Sequence, residues 1–154
     1  MPQVKGKRKR RSPTNKQKTL GRYKSNLEKY CADQLREYGL SFDYEEHEFV
    51  LVDGFRFPYR YLKMTNKAKL MSDRSNSKQL PIKYTPDFVG RDHDWIIETK
   101  GYLPSHHDFP MRWKLFLRFL SMNELPYGVY LAKNKDQVDQ AIQDILKCRG
   151  DGEE

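Results

Sequence analysis

Hydrophobic and polar positions along the chain follow two periods, and the switches between them outline the elements. Leu27, Cys31, Leu35 and Tyr38 recur at helical spacing within residues 25–39, which predicts an amphipathic helix with this stripe in the core. Ser25 and Glu28 fit the S-x-x-E capping box at its start, and Gly39 supplies its C-terminal stop. Residues 41–46 and 48–52 read as strands, with Phe42 and Tyr44 alternating against polar neighbours and His47 between them as a bend residue without an obvious partner. Asp53-Gly54 signals a turn, after which the aromatic run 55–62 stays extended around Pro58. Residues 63–80 are polar, show neither period, and read either as a solvated loop or as a basic flap laid over nucleic acid beside the Asp87 hairpin. A β-hairpin is predicted over 83–101, with Tyr84, Phe88 and Val89 on one arm, Trp95, Ile96 and Ile97 on the other, and a polar turn at 90–94.

A second helix is predicted to enter at Asp108 or Phe109 with Pro110. Met111, Leu115 and Phe119 make one apolar row on it, which Trp113, Phe116, Leu117 and Leu120 broaden beyond what one sheet side needs. Core burial accounts for most of this face and leaves part of it for a partner subunit. Residues 127–132 form a short apolar strand, and 136–148 a closing helix with Val138, Ala141, Ile142, Ile145 and Leu146 on one face. The order predicts an α/β domain with a mixed sheet, which the strand after the second helix joins by a crossover.

The hairpin carries the chemistry. With its turn centred between Asp92 and His93, Asp87 lies opposite Glu98, and the period of two puts Glu98 and Lys100 on one face, Ile97 and Thr99 on the other. Two carboxylates and an ammonium gathered there suit a divalent cation and an attacking water. Pro86 before Asp87 removes a ladder donor and marks an edge or bulge. A cross-strand charge cluster on an ordinary wet hairpin is the competing reading. For Glu28 taken alone, the helix cap suffices as an explanation. His106-His107 is not expected to be a metal pair, because adjacent side chains diverge on most backbones.

Charge adds a partner class. At 154 residues the chain has room for one domain, and its formal net charge is +8. Of its 29 basic residues, ten fall in residues 1–24, which contain no acid, so the remaining 19 face all 21 acidic residues. Residues 1–22 are therefore expected to be a disordered basic tail, 23–150 one domain, and 151–154 a frayed end. Lys7, Arg8, Lys9, Arg10 and Arg11 suit a phosphate backbone and also match a nuclear-localisation pattern. The segment 56–83 is a basic insertion of eight Lys or Arg against Asp73 alone, and Lys67, Lys69, Arg74, Lys78 and Lys83 are its candidate nucleic-acid contacts. Cys31 and Cys148 match neither a metal-binding spacing nor a disulfide framework, which makes a reducing cytosol the expected compartment. No apolar run has membrane-spanning length.

YTPDF, a short turn and IIETKG, preceded by a helix with an acid in its first turn, resemble the PD-(D/E)xK nuclease superfamily. Within it the chain is most similar to phage endonuclease I, the Holliday-junction resolvase type, through YKSNLE, QLREYGLSFDYEE, YTPDF and ETKG but not through the basic insertion. The resemblance implies a restriction-endonuclease-like αβββαβ core, a metal site of Asp87, Glu98 and Glu28 with the Thr99 backbone carbonyl, and Lys100 positioning or activating water. It implies Mg2+, with Mn2+ substituting, no small-molecule cofactor, and hydrolysis of DNA to 5′-phosphate and 3′-hydroxyl ends. It also implies branched DNA as substrate, a homodimer possibly with exchanged elements, and a phage or prophage protein in a bacterial cytoplasm. A restriction-like or transposon-end nuclease on linear duplex and a non-catalytic nucleic-acid-binding protein remain the alternatives.

Overall fold

Ser25 starts the first helix, α1 (Asn26–Glu37), by accepting a hydrogen bond from the Glu28 backbone N–H at 3.1 Å. Gly39 ends it at φ +68°, where a Schellman pair closes the last turn: Gly39 N–H donates to Arg36 O and Leu40 N–H to Leu35 O. The structure is a computed structural model and describes residues 20–101 and 107–150. Lys7, Arg8, Lys9, Arg10, Arg11, His106 and the frayed end at 151–154 lie outside the described residues.

The central sheet has the order β1-β8-β9-β10, comprising β1 (Phe42–Tyr44), β8 (Phe88–Gly90), β9 (Trp95–Thr99) and β10 (Gly128–Ala132). β8 and β9 form the antiparallel hairpin, with Phe88 opposite Ile97 and Val89 opposite Ile96, which is the predicted register. β1 runs antiparallel to β8, and β10 parallel to β9 after the crossover through α2 (Phe109–Met122). The sheet is therefore mixed, the class is α/β, and α3 (Lys135–Gly150) closes the described chain. None of the described helices is long and apolar enough to cross a membrane.

Alternate residues of the hairpin feed two cores. Phe88, Trp95 and Ile97 pack with Cys31 and Leu35 of α1 and with Val138, Ile142 and Ile145 of α3. Val89 and Ile96 pack on the other side with Phe109, Phe116 and Leu120 of α2. A sheet covered on both faces needs no polar alternation, hence the unbroken apolar run 95–97. Three positions of the predicted apolar stripes turn out exposed: Tyr38, the C-cap of α1 (48%), and Met111 (72%) and Leu117 (42%) on α2. Leu20, placed in the tail by composition, is buried, and Arg22 stacks over the rings of Tyr23 and Tyr44. His47 has a partner after all, Asp43 Oδ2 at 2.9 Å from its Nε2.

The excursion at 63–80 is a loop over 64–71 and at the turn 74–76, and residues 63, 72–73 and 77–79 are paired. Between β1 and β8 the chain runs out and back as a two-stranded antiparallel ribbon of three paired steps: β2 (Phe49–Val52) with β7 (Ile82–Tyr84), β3 (Phe55–Phe57) with β6 (Ser77–Gln79), and β4 (Leu62–Lys63) with β5 (Ser72–Asp73). Tyr84, expected on the hairpin, belongs to the root of this ribbon, and Thr85-Pro86-Asp87 carries the chain from ribbon to sheet. Phe49 anchors the root against Phe116 and Phe119 of α2.

Gly90 ends β8 beneath the Trp95 indole, and a Cβ there would sit 2.5 Å from Nε1 and 2.6 Å from Cε2. Trp95 is 2% exposed and has no room to retreat. Gly90→Ala is therefore expected to destabilise the fold by about 1–3 kcal/mol, read as a lower urea midpoint at unchanged slope. A midpoint equal to wild type would show that the indole moves freely.

Candidate metal centre

Three elements bring carboxylates to one point beside the hairpin. Glu28 stands in the first turn of α1, Glu45 follows the last residue of β1, and Asp87 sits in the bend before β8. One oxygen from each lies within 4.8 Å of the others, a spacing that a single cation can bridge. Glu45 adopts φ 50°, and its N–H donates to the Asp87 carbonyl at 2.9 Å, so the β1–β8 pairing itself sets these two residues side by side.

Each acid is held differently. Asp87 Oδ2 accepts from the Thr99 N–H at 2.9 Å and from the Thr99 hydroxyl at 2.8 Å, which fixes the carboxylate and leaves Oδ1 free of those bonds. Glu45 pairs with Lys24 Nζ at 2.6 Å. Glu28 is 7% exposed, and its Oε2 is buried with no hydrogen-bond partner. The helix cap uses only the backbone of Glu28, so capping does not account for its carboxylate. A buried carboxylate oxygen without a partner is expensive to keep, and a bound cation is what would relieve it.

Glu98 and Lys100 complete the wall but do not join that group. Glu98 Oε2 accepts from the Tyr84 hydroxyl at 2.7 Å and from the Asp87 N–H at 3.1 Å. Its Oε1 lies 3.8 Å from Lys100 Nζ, which also rests 4.4 Å from the Phe109 ring centre. The register prediction put Asp87 and Glu98 opposite each other; because Asp87 lies outside the strand, its side chain turns to Thr99 and α1, and Glu98 turns to Tyr84. Thr99 acts on the site through its N–H and hydroxyl. The residue that sequence reasoning missed is Glu45. Its signal, an acid directly after a predicted strand, is too common to single it out.

These groups face an open cleft of about 1100 Å³, lined also by Lys24, Glu48, Lys83 and Arg112. Of the predicted nucleic-acid contacts, Lys83 reaches this cleft, whereas Lys67, Lys69, Arg74 and Lys78 lie along the ribbon. No protein-family model, no curated protein and no solved structure matches the chain.

Burial pushes the Asp87 carboxyl up from its ordinary range, against the pull of the Thr99 hydrogen bonds, and the charges of Glu28 and Glu45 push it further. Glu98 is raised as well, first by burial and then by the Asp87 charge. Both folded-state values exceed the unfolded ones, so these groups stabilise the fold fully below about pH 4 and lose that contribution as pH rises through the folded values. In EDTA, the difference in melting temperature between wild type and Asp87→Asn should therefore shift against wild type from about pH 4 to about pH 6, where Asp87 titrates in the folded protein. A difference that stays constant over this range would show that Asp87 is not held protonated by its surroundings.

Proposed function

We propose that the protein is a metal-dependent DNA endonuclease of the PD-(D/E)xK type, similar to phage endonuclease I and acting on branched DNA as a dimer. The observation that carries this reading is the buried, unpartnered Glu28 Oε2 clustered with Asp87 and Glu45. The element order supports it: with the ribbon set aside, α1, β1, β8, β9, α2 and β10 follow the αβββαβ order of a restriction-endonuclease-like core. The donor set suits Mg2+ or Mn2+, because all its atoms are hard carboxylate oxygens and the cleft leaves room for waters and phosphate.

Glu28, Glu45 and Asp87 would hold the ion, with Glu98 adjacent. When bound, a divalent cation supplies charge neutralisation at the scissile phosphate and makes water a stronger nucleophile. The protein supplies the rest. Thr99 locks Asp87 in one rotamer, and Tyr84 and the Asp87 N–H lock Glu98, so the oxygens need little reorganisation. Lys100, held between Glu98 and Phe109, donates hydrogen bonds to the attacking water and steadies negative charge as the phosphorus gains its fifth oxygen. Lys24, Lys83 and Arg112 at the cleft attract the phosphate backbone. Exposed Met111 and Leu117 on α2 fit the subunit contact that a two-strand cut requires.

The test is cleavage of an end-labelled four-way DNA junction beside a linear duplex of the same arms, with Mg2+ and with EDTA. Metal-dependent cutting confined to the junction is expected. Equal cutting of both would move the substrate to linear duplex, and no cutting of either would overturn the nuclease reading.

A further inference from the structure

The ribbon projects a charge that is left almost wholly unpaired among the described residues. Segment 56–83 holds eight basic residues and one acid, and among the described residues Lys83–Glu48 at 2.9 Å is its one ion pair. Asp73 is occupied locally, accepting from the Ser75 N–H at 2.9 Å. Self-association of two such arms is disfavoured by like charge, so the complementary partner is a polyanion.

That partner must also cover rings. Phe55 is 54% and Tyr59 70% exposed, and in the run 55–61 aromatic and arginine positions interleave: Phe55, Arg56, Phe57, Tyr59, Arg60, Tyr61. Within the β3–β6 step, Arg56 opposes Lys78 on one face, while Phe55 and Phe57 fall on the other by the period of two. A duplex offers phosphates but hides its base faces; an unpaired strand offers both, and base–aromatic stacking with flanking cations is how such strands are held. The root of the ribbon, through Lys83 and Tyr84, forms part of the cleft wall, so a strand tracked along the arm would lead to the carboxylates.

We propose that the ribbon is a single-strand arm: its exposed rings stack on unpaired bases and its arginines and lysines hold the phosphates. It deepens, and for its purpose rests on, the nuclease reading, by naming unpaired nucleotides beside the cut as part of the substrate.

The test is fluorescence anisotropy of the full chain in EDTA, where cleavage contributes nothing, with labelled oligothymidylate and with heparin as a polyanion lacking bases. Phe55→Ala combined with Tyr59→Ala is expected to weaken oligothymidylate about tenfold or more, with heparin binding and the salt slope unchanged. Arg56→Gln combined with Lys78→Gln is expected to weaken both ligands and to lower the salt slope by about 1.4. Oligothymidylate binding unchanged in the ring variant, or lost in step with heparin, would overturn the arm. Both ring positions are surface sites, and a circular dichroism melt matching wild type confirms folding. Failure of wild type to cut DNA would sink the nuclease reading and leave this binding result standing.

Discussion

Asp87→Asn is expected to reduce Mg2+-dependent cleavage by about 10³-fold while raising the stability of the metal-free protein. The opposition of the two effects is the informative part. Asp87 is 7% exposed and close to Glu28 and Glu45, so ionising it in the empty site works against burial and against two like charges. An amide keeps the shape, still accepts from Thr99 through its oxygen, and removes the charge. The folded state is relieved, and the ion loses its best-oriented ligand. Melting curves with and without Mg2+ would show the metal-free midpoint rising and the metal-induced gain disappearing. A variant less stable in EDTA at neutral pH would mean that the Thr99 bonds outweigh the repulsion.

Glu28→Gln is the second large effect, with an expected loss of cleavage of about 10²–10³-fold and no loss of metal-free stability, since it too removes a like charge from the cluster. If Glu28 were in the chain only as a capping residue, Glu28→Gln would change neither cleavage nor stability. Its cap function lies in its backbone N–H, which any residue donates to Ser25 Oγ, whereas Ser25→Ala should destabilise by about 1 kcal/mol. Single-turnover cleavage and denaturant melts of the two variants therefore separate helix capping from chemistry. Glu28→Gln cutting at the wild-type rate would remove Glu28 from the site.

The parts of this structure that were legible in the sequence are those with a local cause. Continuous apolar arms around a polar turn fixed the hairpin and its register, and Gly39 fixed the end of α1 through its left-handed backbone. The outgoing arm of the ribbon was legible as a strand and an extended aromatic run, but its returning arm was not, because nothing enforces an alternating pattern on residues such as Ser72–Asp73 or Ser77–Gln79. Glu45 was missed for a different reason. Its place beside Asp87 follows from pairing between strands far apart in the chain, and no spacing rule reports that. The facing of Asp87 was misjudged because Pro86 holds it in a bend, where the strand period no longer applies.

The most direct test of the central claim is the anomalous scattering of Mn2+ in crystals of the protein at neutral pH. A single strong peak about 2.0–2.2 Å from carboxylate oxygens of Glu28, Glu45 and Asp87 is the predicted result. Crystals in which saturating Mn2+ leaves this cluster without a peak, the three carboxylates folded as described, would contradict the account at its root.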